Sequence, residues 1–163
     1  MLNKSKVALI GAIAAAGMFS SAANAATVSA DARVNILAPV QLTQTAILDF
    51  GVVAAGAAAG TVTLPNSSNV QTCSVGLACV GAAQRGTFNV VGANGYNVAI
   101  TVAASTSLTG PGTAMALTLN PSATVIAATG LPQTFFVGGT LNVGAAQAAG
   151  TYTGNYNVSA DYQ

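Results

Sequence analysis

The segment Ala26-Thr27-Val28-Ser29-Ala30-Asp31-Ala32-Arg33-Val34-Asn35-Ile36 alternates without a break between apolar and polar side chains. Val28, Ala30, Ala32, Val34 and Ile36 fall on one face of an extended chain, with Thr27, Ser29, Asp31, Arg33 and Asn35 on the other. A helix would scatter the five apolar residues around its axis, so the period of two predicts a strand and points to an all-β protein. Pro39 follows within three residues; it has no amide proton for a ladder and predicts a break before the next segment.

Upstream of this segment, Lys4 and Lys6 precede an unbroken apolar or small-residue run from Val7 to Phe19, and Ser20 to Ala25 supply small residues suited to a peptidase. With small side chains at Ala23 and Ala25, this is the pattern of a cleavable export signal over 1–25. The apolar run is shorter than the roughly 20 residues that a membrane-spanning helix needs. The predicted organisation is therefore a signal peptide at 1–25, an N-terminal arm at 26–37 and one domain at 38–163. The expected location is export, through the periplasm to the cell surface or beyond, with no stable membrane insertion after cleavage.

Cleavage removes both lysines and leaves Arg33 and Arg85 against Asp31, Asp49 and Asp161, a formal charge of 2 − 3 = −1. Two cations cannot neutralise a run of phosphates, which argues against a nucleic-acid partner. Weak self-repulsion in a chain that is only 4% charged permits close association of copies. Cys73 and Cys79 are the only cysteines, and in an oxidising compartment they predict one disulfide. The chain has no histidine and two thiols, too few ligands for structural zinc, so neither metal nor cofactor is expected. Asp49 and Asp161 are the only carboxylates outside the arm, and no paired titratable groups suggest acid–base chemistry. No enzyme is expected; Asp49 reads as an outward residue or a cap for the turn at Gly51.

Downstream, Val40 to Phe50 reads as a strand leading into a flexible Ala/Gly connection from Val52 to Gly60. Further strands are expected at Gly60 to Leu64, Arg85 to Val91, Tyr96 to Val102, Met115 to Leu119, Ala123 to Ala127, Gln133 to Val143 and Thr151 to Tyr162. Asn94-Gly95 predicts that Arg85 to Val91 and Tyr96 to Val102 form an antiparallel hairpin. Gly138-Gly139 predicts a bulge or a close backbone approach. Seven to nine short strands without a long helix describe a β-sandwich, with a small barrel sharing the same pattern.

Several segments, in this order, carry a resemblance: Leu48-Asp49-Phe50-Gly51, Gly60-Thr61-Val62-Thr63-Leu64, Phe88-Asn89-Val90-Val91-Gly92, Val137-Gly138-Gly139-Thr140-Leu141 and Gly150 through Tyr162. The chain resembles an uncharacterised bacterial secreted β-sandwich family that is similar to chaperone–usher fimbrial subunits and spore coat protein U. The resemblance implies an immunoglobulin-like β-sandwich lacking one strand, completed by the N-terminal arm of a neighbouring copy. Val28, Ala30, Ala32, Val34 and Ile36 would be the donated side chains. Tyr156, Val158, Ala160 and Tyr162 would line the groove and meet a periplasmic chaperone before assembly at an outer-membrane usher. The expected function is a homo-polymeric surface fibre, with adhesion as its use. The alternative is a self-complete secreted binding or coat module, for instance one that takes carbohydrate. Periodicity leaves open whether the arm pairs within its own chain or between chains.

Overall fold

In the computed structural model, residues 25–163 are described; the signal-peptide reading falls almost wholly on residues outside them. The chain divides into two units, Met1–Asn35 and Ile36–Gln163. Twelve strands make up the second unit: β1 (Gln41–Ala46), β2 (Val52–Ala54), β3 (Gly60–Leu64), β4 (Thr72–Cys73), β5 (Ala78–Val80), β6 (Gly86–Val91), β7 (Asn97–Val102), β8 (Ser105–Leu108), β9 (Met115–Pro121), β10 (Val125–Ala127), β11 (Gln133–Val143) and β12 (Val158–Tyr162). There is no helix among the described residues. The fold is all-β, a sandwich of curled antiparallel sheets.

Alternation builds the core. Along β6 the even-numbered residues Gly86, Phe88 and Val90 are buried, and along β9 the odd-numbered Met115, Leu117 and Leu119. Phe135, Leu64, Val62, Val98 and Val137 are the largest fully buried side chains, and Phe88 stacks on Phe135 with centroids 5.3 Å apart. No polar side chain is buried with them among the described residues, so apolar burial at about 25 cal/mol per Å² is the main cohesive term.

β11 is the spine. β6 and then β3 pair along one of its edges, while β9 takes the other. Gly138 and Gly139 keep a regular register through this crowding, so the close-approach reading holds and no bulge forms there. A Cβ on Gly138 would collide with the Leu64 carbonyl, and one on Gly139 would lie 2.6 Å from the Thr118 oxygen.

Three expectations need correction. β6 and β7 do not pair with each other: β6 lies between β1 and β11, whereas β7 lies between β10 and β12 in the second sheet. The Asn94-Gly95 turn, with Gly95 at φ 84°, instead carries the chain across the sandwich. Both strands bury one face, and facing each other across a core covers those faces where edge-to-edge pairing would leave them open. The Val52–Gly60 stretch opens with a strand, because β2 pairs with β5 in a two-stranded ribbon. The last segment is a ladder only over Val158–Tyr162, preceded by a single bridge between Thr153 and Thr109.

Candidate functional site

The first and last segments of the domain each use one edge and leave the other without a strand partner among the described residues. From Gln41 to Ala54 the chain pairs antiparallel with 78–91, through β6, an Asp49–Gln84 bridge and β5. A register shift between Gln44 and Ala46 bends this long first strand. From Thr153 to Tyr162 the chain follows 98–109 in the same manner. β1 ends one sheet and β12 ends the other.

Between these two edges runs a groove. Its narrow part, about 410 Å³, is lined by Leu42, Ile47, Leu48, Phe88, Tyr156 and Val158 among others. It adjoins a wider part of about 930 Å³ that reaches Phe50, Val53, Leu108, Met115, Leu141, Val143 and Tyr152, with Ile47, Leu48, Gly154 and Asn155 common to both. The floor is therefore the core itself, open to solvent along one side of the sandwich.

Three tyrosines of the last segment set the groove's shape. At one end the Tyr162 hydroxyl donates to the Ala38 carbonyl at 2.9 Å and accepts from the Ala93 N–H at 2.7 Å, which ties the last strand to the root of the arm and closes the groove. At the other end Tyr152 accepts from the Gly112 N–H and from Gln147 Nε2, and donates to the Ala148 carbonyl. Those bonds fix the loops at the open mouth. Tyr156, in the middle, packs edge-on against Phe88 and over Gly86, where a Cβ would come within 2.6 Å of its hydroxyl. That hydroxyl is buried without a hydrogen-bond partner, and burial pushes its pKa up to about 12.

The residues expected to line the groove divide by position. Tyr156 and Val158 line its narrow part, whereas Ala160 and Tyr162 continue the same half-buried face of β12 toward the closed end. The expected donor residues Val28, Ala30, Ala32, Val34 and Ile36 are all exposed, Val28 by 90%, and residues 25–40 hold no strand. Cys73 and Cys79 form the expected disulfide. It joins β4, on the edge of the larger sheet, to β5, whose partner β2 walls the wide part of the groove. Asp49 accepts the Gly51 N–H at 2.8 Å and so caps that turn, with Gly51 at φ 68°. Arg85 lies 3.5 Å over the Phe136 ring and donates to the Asn66 carbonyl. No cluster of metal-ligating side chains occurs among the described residues.

Sequence reading missed the first-strand wall, Leu42, Ile47, Leu48, Phe50 and Val53. The bend after Gln44 breaks its period of two, so the pattern that marked the arm is absent there. Leu108, Met115, Leu141 and Val143 carried a strand signal, but nothing in it says that their faces lie under an open side.

The described residues thus form a sandwich uncovered between two of its edge strands, β1 and β12. The chain belongs to the family described as Domain of unknown function (DUF4402), whose model matches residues 40–162. The match covers the body and stops short of the arm, and it carries no link to fimbrial subunits or to spore coat protein U. Neither the curated proteins nor the solved structures yield a match.

Proposed function

We propose that this chain is an exported structural subunit of a surface fibre, polymerising when residues 26–36 of one copy enter the groove of the next. The observation that carries this reading is a complementary pair. A strand-patterned arm exposes five apolar side chains and forms no ladder, while the body has a groove floored by core side chains between the free edges of its first and last strands. Eleven extended residues span about 36 Å, which suits a groove running beside the fourteen residues Gln41 to Ala54.

The inserted strand gains backbone hydrogen bonds on its edges, and each of its five side chains contributes on the order of 1 kcal/mol by burial. An unfilled groove is an aggregation hazard, which gives a periplasmic chaperone and an outer-membrane usher a physical role in transit. Adhesion is the use such a fibre serves.

The test is deletion of Ala26 to Ile36 behind an intact signal. The full chain is expected to form fibres in electron micrographs, and the deletion to give an exported monomer. A full chain that stays monomeric at high concentration overturns the reading.

A further inference from the structure

Besides the arm, Ile47 in the groove, Val70 and Val125, the large exposed apolar side chains lie toward two ends of the body. Val52 and Val80 are direct cross-strand partners on the outer face of the β2–β5 ribbon, and Val75, 99% exposed, tops the turn between β4 and β5. This ribbon lies at the mouth of the groove, and residues 50–84 contain no charged side chain. At the far end of the same ladder, about 40 Å away along the first strand, lie Tyr96 and Leu131, the latter 69% exposed. There the 92–97 and 128–131 turns meet through Gly95 N–H to Ala128 O and Gly130 N–H to Gly92 O. Tyr162 holds the root of the arm at this same end.

We infer that these two ends form a second interface between copies: the Leu131 end of the donating body seats on the Val75–Val80 end of the accepting body. The inference rests on strand donation and follows from chain length. The accepting copy's own root, pinned at Ala38 by Tyr162, closes one end of its groove, so the donor's root leaves through the mouth. Between Ile36, the last groove-filling residue, and Ala38, fixed to the donor's body, stands only Leu37, a reach of at most about 7 Å. The two bodies therefore meet at every junction. The turns at these ends, within 50–84 on one body and at 92–97 and 128–131 on the other, carry no charged side chain and so desolvate cheaply, and a head-to-tail contact that does not close on itself propagates a filament. The fibre is a stack of abutting domains, not beads on a flexible string.

Val75 and Leu131 are exposed, so substitution there leaves the fold intact, checked by unchanged melting of arm-deleted versions. V75D and L131D are each expected to shorten fibres roughly tenfold or more, because each buries a carboxylate without a partner at every junction. V75D combined with L131K in one chain is expected to restore length, since every junction then pairs opposite charges. If V75D and L131D fibres match the parent in length and in resistance to dissociation, the second interface falls and strand donation stands. If the parent forms no fibres, or the arm-deleted chain still does, strand donation falls and takes the interface with it.

Discussion

The arm at residues 26–36 and the last strand, β12, are written in the same period of two, yet they end in different states. β12 has one paired edge and a half-buried face, while the arm has no ladder and an exposed face. The difference lies in the side chains and their tethers. The last segment carries Tyr152, Tyr156 and Tyr162, two of which anchor it by hydroxyl bonds to turns elsewhere in the domain. The arm's five expected donor residues are two valines, two alanines and an isoleucine, with little area to bury and no hydroxyl on their face. Alternation makes a segment competent to be a strand; anchoring groups decide where it is held.

The largest loss of stability is expected beneath the body: Phe135→Ala opens a cavity under Phe88 and costs about 3–5 kcal/mol in chemical denaturation. Gly138→Ala forces a methyl group against the Leu64 carbonyl and is expected to cost about 1–3 kcal/mol by the same measurement.

Tyr162→Phe removes the hydroxyl that bridges Ala38 and Ala93, for about 1–2 kcal/mol, and speeds amide exchange at Ala93. An unchanged Ala93 exchange rate would show that the tether does not hold the strand.

Tyr156→Phe runs the other way. Its hydroxyl is buried without a partner, so its removal is expected to stabilise by up to about 1 kcal/mol. Its pKa stands near 12 in the folded chain against 10 when unfolded. The stability this difference contributes is fully present below pH 10 and is lost as pH rises toward 12, because the unfolded chain ionises first. Urea titrations across that window are expected to show a fall in the parent that is shallower in Tyr156→Phe.

The smallest effect on stability is expected in the arm, where Val34→Asp leaves the melting temperature within error while abolishing fibres. A stability loss there comparable with that of Tyr162→Phe would mean that the arm is held by its own chain.

The strands around the core were legible because burial imposed their period: Gly60–Leu64 and Gln133–Val143 have the boundaries that the pattern predicts. The disulfide was legible from the cysteine count and the expected compartment. The pairing of β6 and β7 was misread because a tight Asn-Gly turn reports a change of direction, and the same turn serves a hairpin or a crossing between sheets. Half of the groove was legible in the last strand. Its other half was hidden where the bend after Gln44 shifts the register of the first strand.

Local pattern is enough to make the chain all-β, to give it an apolar core and one disulfide, and to write its N-terminal segment as a strand. These depend on neighbours a few residues apart, where side-chain period and backbone chemistry act directly. Long-range packing sets which edges stay unpartnered, that Tyr162 ties one end of the groove while Tyr152 fixes the loops at the other, and that the sandwich is uncovered between its first and last strands. Those depend on residues far apart in the chain, Ala38 and Tyr162 by 124 positions and Gly112 and Tyr152 by 40, which no local period records.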